Sequence, residues 1–295
     1  MPPKAKVSEL VLVTERRIAE LFPAGGAGRM EASGVLADDQ GVLVVFDDSR
    51  NIGRVGRDLS DLAGNVMITP TGAADSPAWD GYEDITRDPL TGDYHLLMEA
   101  AKHADGDWMA KVERVDAGFT RLSSSWLPFR LPDAGKGMEG LTCVVRDGVA
   151  HLLAICEGNR CEGGKDGRRP GSGRIQVFTP SGTDWTHSAT IDLPEYLWFV
   201  DHSSVSVQGD HIAVTSQESS ALWLGRLEPD SWRIADDGTV YEFPRDSGQV
   251  VYCLVEGVSF IDENRFVVVS DRAKSSAPGR CRDKQQSVHI FALPG

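Results

Sequence analysis

Tyr82-Glu83-Asp84-Ile85-Thr86, running on to His95-Leu96-Leu97-Met98-Glu99, decides the fold because it returns along the chain. Met138-Glu139-Gly140-Leu141-Thr142 leads to His151-Leu152-Leu153-Ala154-Ile155-Cys156-Glu157. Val255-Glu256-Gly257-Val258-Ser259 leads to Phe266-Val267-Val268-Val269-Ser270-Asp271. Each copy has a carboxylate, a short apolar strand, a polar turn, a second apolar strand and another carboxylate. Two weaker copies complete the set. Glu31-Ala32-Ser33-Gly34-Val35 leads to Asp47-Asp48, and Asp201-His202-Ser203-Ser204-Val205 leads to Ser216-Gln217-Glu218. The copies begin near residues 31, 83, 139, 202 and 256. A period of about 50 to 60 residues in strand-rich sequence is the mark of a β-propeller.

The reading is therefore all-β, a single five-bladed β-propeller over residues 1–295. Its blades are expected at about 31–80, 81–135, 136–198, 199–250 and 253–295. The turns before the second strands, such as Asp38-Asp39-Gln40-Gly41 and Gln208-Gly209-Asp210, are hairpin signals. The last copy supplies only three strands. Residues 8–20, with Leu10-Val11-Leu12-Val13 at their centre, are expected to supply the fourth and remove the free edge.

The net charge of −14 argues against nucleic acid and anionic membrane as partners. No apolar run reaches the length of a membrane helix. Met1-Pro2-Pro3-Lys4-Ala5-Lys6 reads as neither signal nor transit peptide, so a cytoplasmic location is expected. Five cysteines, an odd number, point to reduced thiols in that compartment. Cys143, Cys156 and Cys253 read as packing residues in apolar strands, and Cys161 and Cys281 fall in polar loops. The Cys156/Cys161 spacing, with no second pair, is a poor zinc signal, and the sequence lends no support to a disulfide.

A hairpin sets the start of its first strand beside the end of its second. Glu83 thus shares a face with Glu99, Glu139 with Glu157 and Glu256 with Asp271. In a propeller the first strands line the axis, so their starts converge on one ring. The expected ring is Glu83, Glu139, Glu256, His202 (or Asp201) and Glu31 (or Ser33). Crowded carboxylates either take up protons or capture a cation. Oxygen donors favour Ca²⁺, with Mg²⁺ as an alternative, and one histidine also suits Mn²⁺ or Fe²⁺. A plainer reading makes the Glu-Gly pairs turn residues that bind backbone N–H groups of neighbouring blades.

Two loops on the same face are basic in an acidic chain: 159–174, with Arg160, Arg168 and Arg169, and 272–284, with Arg272 and Arg280. Arginine forks match phosphate or carboxylate oxygens, so these five are the candidate substrate-binding residues. The bland alternative is solvated Gly/Ser-rich loops. His202, Glu99, Glu157 and Asp271 are the candidate proton-handling groups. No Gly-x-Ser-x-Gly elbow, phosphate-binding loop or dinucleotide fingerprint occurs.

Ser33-Gly34-Val35, Tyr82-Glu83-Asp84-Ile85, Met138-Glu139-Gly140-Leu141 and Val255-Glu256-Gly257-Val258 together resemble a set of bacterial five-bladed propellers of unassigned function. In architecture the chain also resembles the calcium-activated apyrases. That resemblance implies an axial Ca²⁺ with Glu83, Glu139 and Glu256 around it. The apyrase signature is absent, so their reaction and substrate are not implied. The expectation is a metal-dependent hydrolase, with lyase or isomerase chemistry as variants, acting on a small anionic molecule. The alternative is a non-catalytic ligand- or protein-binding propeller with a structural metal.

Overall fold

A computed structural model describes residues 7–22, 30–60, 62–72 and 81–295. Residues 1–6, on which the absence of a signal peptide was read, lie outside the described residues, as do 73–80 at the expected end of blade one.

Five blades of four antiparallel strands each stand around one axis, and one of them carries a fifth, parallel edge strand. Blade one comprises Ala32–Asp38, Gly41–Phe46, Ser49–Val55 and Val66–Ile68. Blade two comprises Asp84–Arg87, Tyr94–Lys102, Trp108–Val115 and Arg121–Trp126. Blade three runs through Met138–Arg146, Val149–Cys156, Arg174–Ser181 and Asp184–Asp192. Blade four runs through Ser204–Gln208, His211–Ser216, Ala221–Arg226 and Thr239–Glu242. Blade five has Val255–Asp262, Arg265–Ser270 and Ser287–Ala292. Each first strand touches the first strands of both neighbours, and that closes the ring.

The amino-terminal strand Val11–Arg17 pairs antiparallel with Ser287–Ala292 and gives blade five its fourth strand. One feature was not anticipated. Val7–Glu9 crosses to blade four and pairs parallel with Thr239–Glu242. The run after the clasp strand turns into a short helix, Ile18–Leu21.

The second strands are apolar throughout because both of their faces are covered. In blade one Val42 and Val44 face blade five, whereas Leu43 and Val45 face blade two. The same division gives one apolar cluster at each of the five blade interfaces. Alternating side chains of one strand thus feed two different cores, the geometry of face-to-face sheets.

Near the axis there is room for backbone only. A Cβ on Gly140 would sit 2.6 Å from Ser204 Cα in blade four, and one on Gly257 would sit 2.7 Å from the Ser33 carbonyl oxygen in blade one. Glycine therefore follows the ring glutamates Glu139 and Glu256 because the neighbouring inner strand lies against it. Gly140→Ala is expected to cost at least about 1–3 kcal/mol through this overpacking, read as a lower midpoint in urea melts.

The blade-locking role foreseen for the ring glutamates falls to Asp84. It is 1% exposed. Its Oδ2 accepts from Leu141 N at 2.8 Å in blade three and from Ser204 Oγ at 3.2 Å in blade four.

The expectation of reduced thiols is corrected. Cys156 is bonded to Cys161, and Cys253 to Cys281; Cys143 is free and buried. Both bonds tie a basic loop to a blade: Cys156 ends the second strand of blade three, and Cys253 lies just before the first strand of blade five. Among the described residues no helix is long and apolar enough to cross a membrane.

Candidate functional site: an acid-lined cavity on the propeller axis

The first strands deliver five side chains to the axis: Ser33, Glu83, Glu139, Ser203 and Glu256. The ends of the second strands deliver five more above them: Asp47, Glu99, Glu157, Gln217 and Asp271. Together these two tiers line a cavity of about 300 Å³, with Asp201, Lys136 and Lys274 at its edges. Glu83, Glu139 and Glu256, expected together, are together, and so are Glu99, Glu157 and Asp271.

The register differs in blades one and four. Ser33 and Ser203 occupy the ring positions first assigned to Glu31 and His202. Glu31 stands at the rim beside Asp47 and Asp271, and its Oε1 is 3.3 Å from Arg272 Nη1. His202 is turned away from the cavity into the protein. Its ring packs under Gly173 and against Phe199, with Nδ1 3.3 Å from the Glu157 carbonyl oxygen. Burial pushes its pKa down to about 4, so it is a neutral packing residue.

The tiers are linked across blades. Ser33 Oγ donates to Glu83 Oε2 at 2.9 Å, and Gly137 N donates to Glu99 Oε1 at 2.9 Å. Gln217 Nε2 donates to Glu256 Oε1, and Lys136 is ion-paired with Glu157. Two oxygens are left out: Asp47 Oδ1 and Asp271 Oδ1 are buried without a hydrogen-bond partner.

Electrostatics follow from the crowding. Burial, then the charges of Glu99 and Asp47, raise the Glu83 pKa to about 8. Burial, with Glu99, Glu83, Glu157 and Glu256 nearby, holds Glu139 well above the carboxylate range. Glu256 is raised likewise by burial and by Asp271. Asp47 is brought to about 7 by burial and by Asp271, and Asp271 to about 6, chiefly by burial. Like charges this close cannot all ionise unless something positive joins them.

Among the described residues two groups of carboxylates fit a cation. Glu99, Glu139 and Glu157 each offer an oxygen within 4.8 Å of the others, and so do Glu31, Asp47 and Asp271. Two oxygens bound to one Ca²⁺ at about 2.4 Å lie at most about 4.8 Å apart. With His202 outside, the donors are oxygen only.

The arginines do not reach the cavity. Arg168 pairs with Glu218, Arg169 with Asp166 at 3.2 Å and Arg272 with Glu31. Arg280 Nε donates to the Val250 carbonyl at 3.0 Å, and Arg160 is exposed at the surface of its loop. The cations on the cavity are Lys136 and Lys274 instead. Sequence reasoning passed over them, together with Asp47 and Gln217. Asp47 and Gln217 could have been found as the residues that follow the second apolar strand in the two weaker copies.

These features define a five-bladed β-propeller with an acid-lined axial cavity. No protein-family model and no protein of described function matches the sequence. The chain is similar in fold to the PQQ-bound aldose sugar dehydrogenase of Streptomyces coelicolor, with 13% identity, 99% of each chain covered and a TM-score of 0.52. It is similar also to the glutaminyl cyclase of Myxococcus xanthus, with 9% identity, coverage of 99% and 100% and a TM-score of 0.51. The GH43_1 enzyme of Xanthomonas citri in complex with xylose shares 10% identity over 93% and 92% of the chains, with a TM-score of 0.50.

Proposed function

We propose that the axial cavity holds a divalent cation, Ca²⁺ before Mg²⁺ or Mn²⁺, and that the protein is a metal-dependent hydrolase of a small anionic substrate. The observation that carries this is the double tier of buried carboxylates, within which Glu99, Glu139 and Glu157 each bring an oxygen within 4.8 Å of the others. Buried acids crowded in this way cost stability unless they are neutralised. Similarity of fold to a dehydrogenase, a cyclase and a GH43_1 enzyme does not select a reaction, so the site must.

Glu99, Glu139 and Glu157 are the residues that would hold the cation, which when bound supplies Lewis-acid polarisation of a substrate oxygen. Lys136 and Lys274 at the edges attract the anion. Asp47, with a pKa near 7 and an oxygen free of other bonds, accepts a proton from the attacking water. Glu31 and Asp271 stand next to it and keep it basic. The two disulfides fit an oxidising compartment better than the cytoplasm expected from the amino terminus.

The test is elemental analysis together with a panel of phosphoesters and lactones, on the native chain and on Glu139→Gln. Metal present in the native protein and lost with turnover in the variant supports the reading. Full metal content in Glu139→Gln refutes the site. Metal bound without turnover on any substrate favours the binding propeller with a structural cation.

A further inference from the structure

A second cleft opens at the opposite end of the molecule, between blades two and three. It is bounded by the turn after Asp84–Arg87 and by the turn between the outer strands of blade three. Its volume is about 300 Å³, and its lining differs in kind from the axial cavity. Trp185 forms one wall and meets the His95 ring edge-on, with centroids 5.7 Å apart. Ser125, Thr183, Arg114, Asp184 and Asp88 are among the polar groups of the rest; the Asp88 oxygens already accept from Leu90 N at 2.8 Å and Thr91 Oγ1 at 2.9 Å, each with a second lone pair left.

His95 is the unexplained group. It is 4% exposed, and its Nδ1 is buried without a hydrogen-bond partner. Burial brings its pKa down to about 4, so the ring is neutral and offers one donor and one acceptor. A buried ring nitrogen with nothing to bind is costly, and such a group asks for a partner. The one guanidinium of the cleft, Arg114, is already held by Asp93, with Nε 2.7 Å from Oδ2. No free cation is therefore offered to an anionic ligand. The apolar part of the wall is Trp185 with Val112, Leu122, Ala150 and Pro180, and the neutral donors and acceptors outnumber the charged groups Asp88, Asp184 and Arg114.

We propose that this cleft is a binding site for a neutral sugar ring, its C–H face on Trp185 and its hydroxyls on His95, Ser125 and Asp88. Aromatic area with a few fixed polar groups is how small-molecule sites combine affinity with orientation. The cleft shares no lining residue with the axial cavity, and the role proposed for it is to hold a sugar.

Saturation-transfer NMR on the full chain, with glucose, galactose, mannose, xylose and their β1,4-linked disaccharides as probes, tests the proposal. At least one probe is expected to receive saturation, with affinity at least tenfold weaker in Trp185→Ala and in His95→Phe and unchanged in Glu139→Gln. Ser125→Ala repeats the test should Trp185→Ala fail to fold. No transfer to any of these sugars overturns the proposal. So does transfer that survives both cleft substitutions, or transfer lost in Glu139→Gln, which would move the sugar to the axis. Failure of the axial metal reading leaves this result untouched.

Discussion

Adding about 1 mM Ca²⁺ to chelator-treated protein at pH 8 raises its melting temperature by about 5–8 °C, if the cavity binds with Kd near 10 μM. A ligand at about one hundred times its Kd stabilises the native state by about 2.7 kcal/mol. A chain of this size gains about 2–3 °C per kcal/mol. Glu139 is the most informative position, because burial and four acidic neighbours all oppose its charge. Glu139→Gln removes that charge and keeps the shape. The metal-free variant is therefore expected to melt above the metal-free native protein, and to gain little from Ca²⁺. The two effects have opposite signs, so general damage to the fold cannot imitate them. A native protein whose melting temperature is indifferent to Ca²⁺, Mg²⁺ and Mn²⁺ would remove the cation from the site.

The second large effect is on pH. Glu83, Asp47 and Asp271 have folded pKa values of about 8, 7 and 6, all raised above the 3.8–4.5 of ordinary carboxyls. Above about pH 4 the unfolded chain releases protons that the folded protein still holds. Stability then falls as pH rises and levels off once the folded groups have ionised, above about pH 8. For buried Glu83 alone the loss is on the order of 4 kcal/mol. In the presence of a chelator the melting temperature is expected to fall by roughly 10 °C between pH 5 and 8.5. Saturating Ca²⁺ should flatten that slope, since a bound cation makes the ionised form the stable one. Calorimetric scans across that range, with and without Ca²⁺, measure it. A slope unchanged by the cation would mean that none binds beside these carboxylates.

The fold was legible because each second strand is buried on both faces, so stretches such as Leu152–Cys156 and Phe266–Val269 are apolar without alternation between hairpin turns. The acidic tiers were legible wherever glutamate and glycine stand together. Register at the weaker copies was not. Inner strands of three blades shift their pairing at the start, between Ala32 and Val35, Met138 and Gly140, and Val255 and Val258. A bulge absorbs a residue without leaving a mark in the hydrophobic pattern. Beside such a shift Glu31 looked as good as Ser33. In blade four, where the inner pairing is regular, His202 simply carries more obvious chemistry than Ser203.

Long-range partners were hidden for another reason. Nothing near Asp84 in sequence says that Leu141 and Ser204 will donate to it. Nothing near Cys253 says that Cys281 returns to it across 28 residues. The arginines misled because their charge is spent on Glu218, Asp166 and Glu31, the first 50 and the last 241 residues away in sequence.

The pairing of Val11–Arg17 with Ser287–Ala292 has a consequence for biosynthesis. Val11–Arg17 leaves the ribosome long before Ser287–Ala292, the strand beside which it finds its place. During translation that segment trails without a neighbour while four sheets assemble behind it, and the circle shuts in a single late step. Removal of either Val11–Arg17 or Ser287–Ala292 should therefore spoil the whole assembly, in the way that a missing clasp frees every bead of a necklace.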